Sequence, residues 1–261
     1  MSEPEQKKPK IIKEISRGIV AVAKYDWKTK KILHIPNFTT ILIHTNRNTF
    51  GGSLSPYHLK NEFGQILENV WQFMKRYKKV ESIRTPLSKF QNNIIIWEHP
   101  SELHIDETDS PTPEYWAWRR KGMDNTYAVR YPNGYNGRTK CIDSLLTEEW
   151  LNDREHVNPA TPSKNVHHLS YGKDVRRLVY CGEYQRLAPK TSDFQRMKQM
   201  IESGQNILIM EVDGPSSDML TQDKPYLVID DTLTNTLLKD VRYPFGHGYT
   251  IAALLNNFKF I

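Results

Sequence analysis

The stretch FGGSLSPYHLKNEFGQILENVWQFMKRY, residues 50–77, leaves the chain few ways to arrange itself. A polar turn at Leu54, Ser55, Pro56 and Tyr57 leads into a segment with helical periodicity. At about 100° per residue, Ile66, Val70, Phe73, Met74 and Tyr77 fall on one side. Glu68, Gln72 and Lys75 fall within roughly 60° of one another on the other side, with Trp71 beside them. The spacing predicts a helix over 65–79 whose apolar stripe packs on a core. Its polar face has a plain explanation: a wet surface on which Glu68 supports Gln72 and Lys75 as helical neighbours. Trp71 argues against that, because an indole set among charges ordinarily covers something.

Composition narrows the classes. Six Trp and thirteen Tyr in 261 residues suit a cleft lined by rings. No apolar run approaches the length that spans a bilayer, and MSEPEQKKPK lacks the apolar core of a signal peptide. Cys141 and Cys181 make neither a disulfide framework nor a zinc pattern. The expected setting is therefore intracellular and cytoplasmic, with no membrane partner. A net charge of +6, with Lys7, Lys8, Lys10 and Lys13 in the N-terminal tail, favours an anionic partner such as a nucleotide or nucleic acid. Solubility alone explains such an excess equally well.

Residues 1–14 read as a basic flexible tail and 15–261 as a single domain. The runs GIVAVAKY (18–25), KKILHI (30–35) and TTILIHT (39–45) predict a small antiparallel meander, so 15–48 is expected as an N-terminal β-rich extension. NNIIIWEH (92–99) and AVRYPNGYNGR (128–138) read as further strands, and 147–165 as polar and irregular. Thr112–Pro113–Glu114 is a helix start reaching through Trp116 and Trp118 to Gly122. Helices are expected over 172–187 and from Ser192, with Gln195 completing a capping box, to Gly204. NILIMEV (206–212) reads as a buried strand ending in Asp213–Gly214–Pro215, and YLVID as a short strand within 216–235. Residues 236–255 give a short helix, a glycine-bracketed turn and a closing helix. The fold class is α+β, mainly helical.

Four groups of residues, in order along 50–250, carry a resemblance. They are Phe50 with Leu54–Ser55–Pro56–Tyr57, then Glu68-x-x-Trp71-Gln72-x-x-Lys75. Next come Arg176, Tyr180, Tyr184, Phe194, Ile201 and Gly204, with a strand ending in Glu211 after them. Asp240 with Phe245–Gly246-x-Gly248 closes the series. Together they resemble the NADAR, or YbiA-like, family, linked to NAD and ADP-ribose metabolism, some of whose members cleave N-glycosidic bonds. The departures are Pro56 where the family has Asn, Phe245 where it has Trp, and two extra residues before that turn.

The resemblance implies a YbiA-like domain and an N-glycosidase acting on an ADP-ribose-type or ribosylated purine compound, including an ADP-ribosylated nucleobase. Such chemistry needs a carboxylate near an oxocarbenium-like sugar carbon, a ring against the base or sugar, and donors for phosphate or hydroxyls. Glu68 is the first candidate acid and Asp240 the second, with Glu211 and Asp213 third. A neighbouring Lys75 is expected to hold Glu68 ionised. Ser55, Tyr57, Trp71, Gln72, Lys75, Trp116, Arg176, Glu211, Gly246, His247 and Gly248 are the candidate binding residues, with Arg130 a further phosphate clamp. Plain readings stand beside these: a helix cap for Asp240, a tight turn for Gly246 and Gly248, solvated arginines and core tryptophans. No histidine spacing matches a metal motif, and no dinucleotide or phosphate-loop fingerprint occurs, so neither metal nor cofactor is expected. The alternatives are a module that binds ADP-ribose or a nucleotide without cleaving it, and a nucleic-acid-binding or DNA-modification protein.

Overall fold

A computed structural model describes residues 16–43, 48–82, 97 and 99–260. The tail over 1–14 and most of the strand expected over 92–99 lie outside the described residues. Trp97 and His99 are described and belong to no strand. The chain runs β1 (Val20–Lys24), β2 (Phe38–Leu42), α1 (Leu67–Phe73), β3 (Lys75–Tyr77), β4 (Lys79–Val80) and β5 (Glu102–Leu103). It continues through α2 (Pro113–Met123), β6 (Cys141–Thr147), α3 (Glu148–Asn152), β7 (Val166–Leu169), α4 (Lys173–Val175), a π-helical turn (Arg176–Cys181) and α5 (Gly182–Leu187). It ends with α6 (Ser192–Glu202), β8 (Asn206–Glu211), β9 (Leu227–Val228), α7 (Asp231–Lys239) and α8 (His247–Leu255). This is an α+β fold with more helix than strand.

The larger sheet has the order β2–β8–β1–β9. β8 lies between β1 and β2 and runs parallel to both, while β9 closes one edge antiparallel. Strands buried on both faces read as unbroken apolar runs, which is why VAVA and ILIM lack alternation. Val20, Val22, Ile41, Ile207 and Ile209 share a core with Phe194, Met197 and Ile201 of α6 and Ile251, Leu254 and Leu255 of α8. Ala21, Ala23, Leu208 and Met210 face the other way, under Ile32, Leu33, Ile35 and Tyr226. This pairing corrects the expected meander. β1 and β2 do not pair with each other, and 30–35 forms no strand but lays its apolar side chains over the sheet. Within 20–42 the chain supplies two of the four strands.

The smaller sheet, β3–β6–β7, is antiparallel and bulged between Arg76 and Tyr77. It shares a second core with Val70, Phe73, Met74, Trp118, Leu145, Leu146, Trp150 and Val179. The helix expected over 65–79 stops at Phe73, because tertiary partners claim the residues beyond it. The Leu145 amide donates to the Met74 carbonyl at 2.8 Å, and buried Arg76 forks onto Asp143 at 2.7 and 2.6 Å. That charge-assisted pair outweighs the few tenths of a kcal/mol that helix propensity offers Lys75 and Arg76. The strand expected over 128–138 is absent: Val129 donates to Asn69 Oδ1, and a short 3-10 turn occupies Asn136–Lys140. α3 arises within 147–165, where irregular chain was expected, and β6 and β7 flank it where no element was expected.

Trp71 packs against both cores and marks the seam between them. Among the described residues no helix is long and apolar enough to cross a membrane.

The second core also sets an acid limit. His104 is fully buried among Trp118 and Tyr115, and burial lowers its imidazole from an ordinary 6.5 to about 4. A base held neutral in the fold contributes stability that is complete above pH 6.5 and drains away as pH falls toward 4. The loss is about 3 kcal/mol at 1.36 kcal/mol per pKa unit. Urea unfolding at pH 7.5 and 4.5 measures it, and His104→Phe is expected to remove this part of the pH slope.

Candidate functional site

A cavity of about 260 Å³ opens at the seam, lined by Tyr57, Glu68, Trp71, Gln72, Arg130, Tyr131, Tyr171, Arg176, Tyr180, Asp213, Pro244, Phe245 and Gly246. Helix α1 supplies three of these from one face, as the periodicity predicts. The turn before it is tied down by the Glu68 amide, which donates to the Pro56 carbonyl at 3.0 Å. Pro56 therefore serves through its backbone, where the resemblance has a side-chain amide. Ser55 is buried behind the wall, its Oγ accepting from the Tyr57 amide at 3.4 Å, and does not reach the cavity.

Gln72 Nε2 donates to Glu68 Oε1 at 2.9 Å, and Lys75 Nζ donates to Gln72 Oε1 at 2.7 Å. Lys75 approaches from β3, its Nζ 5.2 Å from the Trp71 ring centroid. Burial pushes the Glu68 carboxyl above its usual range; Gln72, Arg130 and Lys75 pull it back, and Asp213 adds to the rise. Lys75 pulls Glu68 toward the ionised form as expected, but burial outweighs it and the two form no direct ion pair. The ammonium reaches Gln72 instead, and burial also lowers the pKa of Lys75 itself.

The π-helical turn explains two more lining residues. The Gly182 amide reaches back five residues to the Arg177 carbonyl, widening the helix so that Arg176 and Tyr180 meet the cavity. Arg176 is buried and gives every nitrogen to the chain. Nη1 donates to the Asp240 carbonyl at 2.9 Å and Nη2 to the Tyr243 carbonyl at 2.6 Å. Nε and Nη2 also meet the Tyr171 hydroxyl at 3.2 and 2.9 Å. It is a staple for the 240–246 turn rather than a phosphate clamp. Arg130, whose guanidinium packs over the rings of Tyr57 and Tyr131 at 6.0 and 5.5 Å, is the better-placed cation.

Asp240 does not line the cavity. Its carboxylate is partly exposed and forks onto Arg242 at 2.9 and 2.6 Å, which holds it down at about 2. The second acid in the wall is Asp213, exposed at the mouth just past β8. Trp116 is elsewhere, in an open depression with Pro111, Pro113, Arg120 and Lys121.

Glu211, Gly246, His247 and Gly248 do come together, but around one another. Glu211 is fully buried, and His247 Nδ1 stands 3.0 Å from its Oε2 while the other ring nitrogen meets the Ile43 carbonyl at 3.2 Å. The amides of Gly248 and Tyr249 face the same carboxyl without forming a well-aligned hydrogen bond. Burial raises Glu211, and His247 counters the rise. The carboxyl that the glycines admit is therefore the chain's own. A Cβ at Gly246 would sit 2.5 Å from Glu211 Oε2, and one at Gly248 2.7 Å from Oε1. Gly246→Ala is expected to destabilise by about 1–3 kcal/mol through overpacking, read as a lower denaturation midpoint.

No family model, no curated protein and no solved structure matches this chain.

The site therefore stands on its own geometry. Sequence reasoning misses Tyr131 and Tyr171 and places Asp213 below Asp240. No local pattern marks a tyrosine that reaches a cavity from a loop. The one available signal for Asp213 is its place just after a buried strand, where ligand sites in such sheets gather. Among the described residues no three His, Cys, Asp or Glu side chains stand close enough to hold a metal ion.

Proposed function

We propose that the chain is an N-glycosidase that hydrolyses an N-glycosidic bond in an ADP-ribose-type or ribosylated purine compound. The observation that carries this is Glu68, buried with its carboxyl pushed above the usual range, in one wall with an indole, an amide, an arginine and a second carboxylate, Asp213. The ordered resemblance to the NADAR, YbiA-like family supports the same reading.

The site's polarity suits the reaction. As the C1′–N bond breaks, its electron pair passes to the base nitrogen, which takes the proton of Glu68. The sugar carbon becomes electron-poor beside Asp213, which accepts a proton from the incoming water as its oxygen bonds C1′. Trp71 and the tyrosines offer faces to the sugar or base, and Arg130 offers charge to a phosphate. A cavity of about 260 Å³ lies at the small end of ligand sites, fitting a ribosyl group with part of its base; the rest of a dinucleotide would lie along the mouth. A cytoplasmic location accords with two free cysteines, Cys141 and Cys181.

Incubation with NAD, ADP-ribose and ADP-ribosylated guanosine, then chromatography of the released base, tests the reading. Free base with a hydroxyl at C1′ supports it. A thermal shift without product would instead favour a binding module, which the displacement of Asp240 from the cavity already motivates. Salt-sensitive affinity for DNA or RNA without hydrolysis would favour a nucleic-acid partner.

A further inference from the structure

Two hydrogen bonds in series run from β3 to the cavity: Lys75 Nζ to Gln72 Oε1 at 2.7 Å, and Gln72 Nε2 to Glu68 Oε1 at 2.9 Å. An ammonium has donors and no acceptor, so an amide beside it turns its oxygen inward and its NH2 outward. That NH2 has only protons to give, so the Glu68 oxygen it meets must accept. In a neutral carboxyl the acidic proton is then left to Oε2.

We infer that Lys75 is a positioning residue: by fixing the amide of Gln72 it confines the proton of Glu68 to Oε2. This rests on the reading of Glu68 as the acid, and it deepens that reading. Lys75 does not line the cavity, and its Nζ rides over the Trp71 ring at 5.2 Å. Glu68 and Gln72 are both buried, so solvent offers the amide little alternative partner. Without the ammonium, Gln72 can rotate half a turn and present Oε1 to Glu68. The carboxyl would then spend its proton on the amide, facing away from any leaving group. A lysine whose hydrogen bonding reaches the acid through a glutamine thus decides which carboxyl oxygen is acidic.

The test needs no substrate. The carboxyl carbon of Glu68 is tracked by NMR across pH in the full chain, with Glu68→Gln identifying the resonance. Lys75→Met, Gln72→Met and the double variant form a cycle. Each single change is expected to move the Glu68 midpoint upward, and the double variant by less than the two shifts summed, because both act through one amide. Lys75→Arg, which keeps a donor, is expected to stay closest to the parent. Shifts that simply add, or a Lys75→Met variant with the parental midpoint, would overturn the role of Lys75. If the parent protein hydrolyses no glycoside, the N-glycosidase reading falls while the titration cycle still decides whether Lys75 acts on Glu68 through Gln72.

Discussion

Glu68→Gln is expected to lower the rate of base release about 10²–10⁴-fold, the usual worth of a positioned proton donor. The fold should survive, since burial already disfavours the charged carboxylate and a glutamine oxygen can accept from Gln72 Nε2 as Glu68 Oε1 does. A thermal midpoint at or above the parental one, with activity gone, is the expected pair of readings. The pH profile provides the second check. Glu68 acts as an acid from a raised pKa, so activity is present while it is protonated and declines as pH climbs through that value. A variant that turns over substrate at the parental rate would remove Glu68 from the reaction.

Arg176→Met should cost stability and site geometry together. The guanidinium satisfies the carbonyls of Asp240 and Tyr243 and the hydroxyl of Tyr171, all from a buried position. Methionine fills much of the volume but donates to none of these acceptors. At about 1.5–3 kcal/mol for each hydrogen bond to a charged group, the loss reaches about 3 kcal/mol or more. For a chain of this size that is a fall in Tm of roughly 6–12 °C. Because the stapled turn carries Pro244, Phe245 and Gly246 into the cavity wall, ligand affinity should drop with it. An unchanged Tm would mean that the turn holds its place without the staple.

The range of the forces involved decides how much can be read from the sequence. The stripe of Ile66, Val70, Phe73, Met74 and Tyr77 is buried as its spacing predicts. Thr112 caps α2 as expected, accepting from the Tyr115 amide at 3.2 Å. α6 starts one residue from its expected cap: Thr191 accepts from Phe194, and Gln195 turns instead to the Pro189 carbonyl. Gly204 takes the left-handed conformation just beyond that helix, at φ 89°. These are local matters of periodicity and capping.

The misreadings involve partners that no local pattern announces, most of them distant in sequence. Lys75 is well placed for a helix by periodicity, yet Ser144 pairs with it in a sheet. Asp240 is held by Arg242, two residues away. β1 and β2 look like neighbours by turn chemistry, but the strand between them comes from late in the chain. Glu68, Trp71 and Gln72 are legible because one helical face holds all three. Asp213 and Tyr171 join them only after the chain has closed on itself.

That closure bears on how the protein is made. Val20 pairs with Ile207 and Thr39 with the same residue, so the first two strands wait for most of the polypeptide before they find their partner. Non-local parallel pairing is intrinsically slow, and on a ribosome the early apolar runs would emerge long before β8. A fragment truncated ahead of residue 206 should therefore leave those edges bare and aggregate, and chaperone demand during synthesis should be high for a chain of this length.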